Sequence, residues 1–163
     1  GYRWSRYPLI WGWATWARAW RRYEGSMSRW PDLRAAGWLD DLFADRHALA
    51  YWTQLFDETY ERGSTWDYAW VFASWLHGGL SAVPDVNLVT NVGFRADATH
   101  TREGDLSPFA GMPVQPMGFP LAHPAAPIRD AEADEGLERD VFSGNVHRMF
   151  ERLRLARRMA RVS

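Results

Sequence analysis

The sequence predicts an α/β domain, and three observations predict it. All 11 tryptophans lie between Trp4 and Trp75, in stretches where apolar residues recur at helical spacing. Residues 80–94, LSAVPDVNLVTNVGF, switch to β-branched residues interrupted by Pro84, the pattern of two short strands around a turn. Most prolines follow residue 80, where periodicity fades and loops are expected. A length of 163 residues suits one domain with one core, and 47% hydrophobic with 24% charged residues is ordinary globular composition.

In chain order, SRYPLI (residues 5–10) is expected to supply a strand. Thr15 to Tyr23 reads as a short helix capped by Thr15, with Trp16 and Trp20 on one face. PDLRAAG (31–37) and DDLFADRHALAYWTQLFDETYERG (40–63) read as helices. The second carries Leu49, Trp52, Phe56 and Tyr60 at helical spacing and stops at Gly63. A third helix is expected from Trp66 to His77, capped by Ser64 or Thr65 and ended by Gly78 and Gly79. The proline-rich stretch up to residue 128 completes the first unit, 1–128. The second, 129–163, is an acidic linker (RDAEADEGLERD) followed by an arginine-rich helix. In that helix Val146, Met149, Phe150, Leu153 and Ala156 share one face. Docking on the domain explains such a helix, and peripheral contact with an anionic membrane explains it too.

Composition excludes several classes. With no cysteine there is no disulfide framework, thiolate metal site or cysteine nucleophile, which suits a reducing, cytoplasmic compartment. A net charge of −1 argues against nucleic acid as a partner. All 19 basic residues are arginine, a bias that points to genome composition rather than to chemistry. No apolar run reaches the roughly 20 residues of a spanning helix, and GYRWSRYP has no signal-peptide core. A first residue that is not methionine, already inside an aromatic stretch, leads us to expect a segment of a longer protein. Phosphate-binding glycine loops, dinucleotide fingerprints, paired-histidine metalloprotease signatures and nucleophile elbows are missing from the sequence.

Three positions attract a chemical reading. Gly12 stands between Trp11 and Trp13, with Trp16 and Trp20 following: a backbone without Cβ lets a ligand approach, and flat rings beside it can hold a sugar face. A tight turn inside an aromatic core would use the same residues. Asp67, in STWDYAW, sits at a helix start between Trp66 and Trp70. Desolvated there, a carboxylate can serve as general base, although dipole capping alone explains an acid at that place. His100, in DATHT, follows the expected second strand and gains interest only beside a metal or phosphate. Adjacent Asp40 and Asp41 read as helix-start acids, not as metal ligands.

Together SRYPLIWGWATWARAW, STWDYAWVFASWLHGGLSAVPDVNLVTNVGF and DATHT resemble the C-terminal half of bacterial GT-A glycosyltransferases, the nucleotide-diphospho-sugar transferases of a family 2-like group sometimes labelled hemolysin-like. The resemblance runs to about residue 130. It implies a partial GT-A fold without its N-terminal nucleotide-binding half, and with that half the acidic metal motif. It further implies transfer from a nucleotide-sugar donor to a glycan or other hydroxyl acceptor, assisted by Mn2+ or Mg2+. Asp67 matches the acceptor-activating base, and His100 the histidine that helps hold metal or diphosphate. Trp11, Gly12, Trp13, Trp16 and Trp66 match the donor and acceptor walls. The resemblance implies that the segment alone is inactive, with a sheet edge and a tryptophan-rich face left uncovered. A non-catalytic carbohydrate-binding module, and a membrane-surface protein acting through its arginine-rich tail, are the competing readings.

Overall fold

A computed structural model describes residues 1–63, 65–90 and 112–142. Helices dominate it, joined by one two-stranded antiparallel sheet in which β1 (Tyr2–Ser5) pairs with β2 (Ser81–Pro84), Tyr2 opposite Pro84 and Ser5 opposite Ser81. Between them come α1 (Ala17–Trp20), α2 (Trp30–Ala35), a 3-10 turn (Trp38–Asp41), α3 (Arg46–Arg62) and α4 (Asp67–Leu76). After β2, α5 (Ala131–Leu137) runs into a π-helical turn (Glu138–Phe142). No helix among the described residues is long and apolar enough to cross a membrane.

The core is aromatic. On α3, Trp52 and Phe56 are fully buried, and they meet Phe72 and Trp75 of α4 edge to face, with ring centroids 4.6–5.7 Å apart. Trp30 closes one end against Phe56 and Phe72. Edge-to-face pairs of this kind add about 0.5–1.5 kcal/mol each beyond the area they bury. Position 60 departs from the stripe expected on α3: Tyr60 is exposed, and the buried residue on that last turn is Thr59, whose hydroxyl bonds the Leu55 carbonyl.

Helix ends explain most differences from the sequence reading. The helix expected to run unbroken from Asp40 divides at Phe43–Asp45, because the Asp45 carboxylate accepts from the His47 N–H at 2.9 Å and starts α3 there. Thr15 does not cap α1; Trp16 holds that place with no side-chain bond, and Arg22 and Tyr23 continue as tighter turns bonded three residues back. Trp66 likewise occupies the cap of α4, while Thr65 donates to Asp67 instead. The other end of α4 is as expected: Gly78 takes φ +62°, its N–H bonds the Trp75 carbonyl and that of Gly79 the Ser74 carbonyl, a left-handed stop suited to glycine.

The strand expected within SRYPLI lies earlier, at Tyr2–Ser5. Its pairing ends where the Ser5 hydroxyl accepts the Tyr7 N–H at 2.9 Å and turns the chain inward, and Pro8 has no N–H to offer a ladder. Of the two strands expected in residues 80–94, β2 forms, and residues 85–90 carry no strand. The rest of that stretch, His100 and the helix of residues 146–162 lie outside the described residues.

Part of the acidic stretch expected as a linker is α5, and it is packed into the molecule. Asp134, fully buried, accepts from the Ser5 hydroxyl (2.5 Å), the Arg6 N–H (3.1 Å) and Arg129 Nε (2.6 Å). One turn on, Glu138 accepts from the Tyr7 hydroxyl (2.5 Å) and Trp52 Nε1 (2.9 Å). Phe142 then stacks on Tyr7 at 4.9 Å. The two acids sit four residues apart on one helical face, so both turn inward, where N–H and O–H donors replace the water they lose.

Burial and the Glu138 charge push the Tyr7 hydroxyl well above the ordinary tyrosine value of 10.0, and burial, then Tyr68, does the same for Tyr51. A raised folded-state pKa means the unfolded chain loses these protons first. Stability is therefore complete below pH 10 and is expected to fall as pH climbs beyond it. Urea melts between pH 8 and 11 test this, with Tyr51→Phe flattening the decline.

Candidate functional site

Backbone geometry fixes the centre of the site. Gly12 has φ +66°, and a Cβ there would stand 2.5 Å from a methyl carbon of Val89, so both conformation and space call for glycine. Gly12→Ala is expected to cost about 1–2 kcal/mol for the left-handed conformation plus the clash. Chemical denaturation measures it. Adding Val89→Ala should recover only the steric share, and full recovery would contradict the conformational part.

The turn delivers Trp13 onto the start of α4. Its ring stacks on Trp66 (centroids 5.6 Å, planes 20° apart) and tilts against Trp70 (5.5 Å) and Trp20 (6.1 Å), while Trp20 lies face to face with Tyr23 at 4.7 Å. The residue after Gly12 thus packs on the residue before Asp67. Trp70 is buried beneath these rings, and its indole N–H has no acceptor among the described residues. Trp66 (44% exposed), Trp20 (42%) and Trp11 (48%) present open ring surface, as does Trp16 (62%), one turn before Trp20. Trp30, Trp52 and Trp75 are thus core, Trp70 is buried beneath the turn, and Trp13, Trp20 and Trp66 form an open aromatic ledge.

Asp67 opens α4 and is half-buried. Its Oδ1 accepts from the Tyr68 N–H at 2.9 Å and from the Thr65 hydroxyl. Among the described residues both bonds fall on Oδ1 and none on Oδ2. One oxygen is thereby fixed while the other keeps its capacity to take a proton. Burial, and next the Asp67 charge, raises the pKa of the neighbouring Tyr68 hydroxyl, which stays a neutral donor at ordinary pH.

Of the site residues expected from sequence, the structure brings Trp13 onto Trp66, and Gly12 and Asp67 are the chain neighbours of that pair. Trp11 flanks the turn, Trp16 stands at the start of α1, and His100 lies outside the described residues. Among the described residues no three His, Asp or Glu side chains are grouped closely enough to hold a cation, Asp40 and Asp41 included. A shallow hollow of about 480 Å³ lies elsewhere, between α2 and α3, lined by Arg34, Arg46, Leu49, Thr53, Gln54 and Asp57. There Arg34 is already bound to Asp57 at 2.7 Å, and the tryptophan ledge takes no part. Sequence reasoning missed the half-buried Arg6 and the buried Tyr7, Asp134 and Glu138. The available signal was the spacing of Asp134 and Glu138 in a stretch that also carries Leu137 and Phe142.

No protein-family model matches the chain, and neither a curated protein nor a solved structure is significantly similar to it.

Proposed function

We propose that this chain is the acceptor-side part of a glycosyltransferase domain that moves a sugar from a nucleotide-sugar donor to an acceptor hydroxyl. The stacking of Trp13 on Trp66 carries the reading, because it sets a platform for a sugar ring against the residue before a carboxylate whose Oδ2 has no hydrogen-bond partner among the described residues. On this reading the apolar face of the acceptor rests on the exposed tryptophans, and Asp67 Oδ2 takes the proton of the attacking hydroxyl. The nucleotide site belongs to a preceding half, so the chain alone binds acceptor without transferring sugar. A divalent cation would neutralise the diphosphate leaving group. The described residues form no cluster for it, and neither acceptor stacking nor proton removal by Asp67 depends on it. A cytoplasmic setting, with the arginine-rich tail touching the inner membrane, belongs to the same proposal.

A second reading, a carbohydrate-binding module without chemistry, draws on one observation: bonds from Thr65 and the Tyr68 N–H already give Asp67 a structural role at the start of α4. One assay separates the two. The protein is expressed together with its upstream coding sequence, and nucleoside diphosphate release from a panel of nucleotide sugars is followed with manganese present. Acceptor-dependent release supports the transferase. Glycan binding without release across the panel supports the module instead.

A further inference from the structure

We infer that the acceptor laid on this ledge carries an anionic group, a carboxylate or a phosphate, beside the stacked sugar ring, and that Arg18 recognises it. The inference rests on the sugar-binding reading above and adds the charge of the substrate. Residues 11–23, WGWATWARAWRRY, hold Arg18, Arg21 and Arg22 and no acid, in a chain whose net charge is −1. The Arg18 guanidinium lies over the Trp16 ring, 5.0 Å from its centroid, while Trp16 itself is 62% exposed. A guanidinium resting on a ring is held in place, keeps its in-plane N–H donors for another group and remains in water.

Several arginines elsewhere are already paired. Arg34 bonds Asp57 at 2.7 Å, Arg129 bonds Asp134 at 2.6 Å, and Arg3 faces Asp85 at 3.6 Å. Arg18, Arg21 and Arg22 have no carboxylate within salt-bridge distance among the described residues. What sets Arg18 apart among the described residues is that it rests on an exposed tryptophan with its donors turned to solvent, placed to pair with something brought from outside. A sugar acid fits both parts: its C–H face stacks on indole, and its planar carboxylate matches the guanidinium fork in a charge-assisted pair. A sugar phosphate offers the same chemistry.

Tryptophan fluorescence titration of the full chain with matched ligands tests this. Tetragalacturonate is compared with its methyl ester, which keeps the backbone and removes the charge. Galactose 6-phosphate is compared with galactose, and a short single-stranded DNA serves as control. The free acid, the phosphate or both should bind about tenfold more tightly than the neutral match at low salt. The gap should narrow at about 0.15 M salt and close in Arg18→Ala and Arg18→Gln, each checked for native circular dichroism. Arg18→Lys should keep part of the gap. Which ligand pair shows it tells carboxylate from phosphate. Equal binding of charged and neutral ligands overturns the inference and leaves the sugar ledge standing, as does an anion preference that both Arg18 variants retain. DNA binding as tight as the acid, lost with Arg18, overturns it in favour of nucleic acid. No binding of any sugar, with Trp16→Ala and Trp66→Ala spectroscopically indifferent to all of them, overturns the ledge itself.

Discussion

On the transferase reading, Asp67→Asn, made in the protein expressed with its upstream coding sequence, is expected to lower turnover by about 10²–10⁴-fold, the range that general bases contribute. The amide keeps the volume, and its oxygen can still accept from the Tyr68 N–H and the Thr65 hydroxyl, so the start of α4 should survive. It cannot take a proton at neutral pH. The loss should therefore fall on kcat, with acceptor KM nearly unchanged, since Trp13, Trp20 and Trp66 are untouched. Steady-state kinetics at saturating donor measures the split. Wild-type kcat in a folded Asp67→Asn protein would remove Asp67 from the chemistry and favour the binding-module reading.

Asp134→Ala should have the largest effect on stability, about 3–5 kcal/mol, as expected when one member of a buried charged network is deleted. It strips acceptors from the Ser5 hydroxyl, the Arg6 N–H and Arg129 Nε together. At about 2–4 °C per kcal/mol for a domain of this size, the melting temperature should drop by roughly 6–20 °C. Asp134→Asn, which retains one acceptor oxygen, should lose less. Calorimetry of the three proteins checks the order. An Asp134→Ala protein melting with the wild type would show that α5 is dispensable to the core.

The sequence made the helices legible where their signals are local. Trp52 and Phe56 carry the period of α3, and Gly63 and Gly78 mark helix ends through left-handed backbone. The glycine turn at Gly12 was legible for a related reason, dense tryptophan around a residue that takes a positive φ, whereas nothing local says that Trp13 packs on Trp66. Caps were harder, because Thr15 and Asp45 are both ordinary capping residues and only the fold decides which carboxylate or hydroxyl meets an amide. Least legible was the far end. Asp134 and Glu138 look like solvated charges in RDAEADEGLERD, and nothing local reveals that their partners stand at residues 5, 6, 7, 52 and 129.

That clasp also places a clock on synthesis. Ser5 and Asp134 are 129 positions apart, and Tyr7 and Glu138 131, so the first strand waits for its final partners until nearly the whole described chain has left the ribosome. At about 5–20 residues per second, the interval is on the order of ten seconds. Throughout it, the faces of Tyr7 and Trp52 that Phe142 later covers stay open to water and to neighbouring nascent chains. The contacts of Asp134, Glu138 and Phe142 with residues 5, 7 and 52 are therefore the last part of this fold to become available during translation.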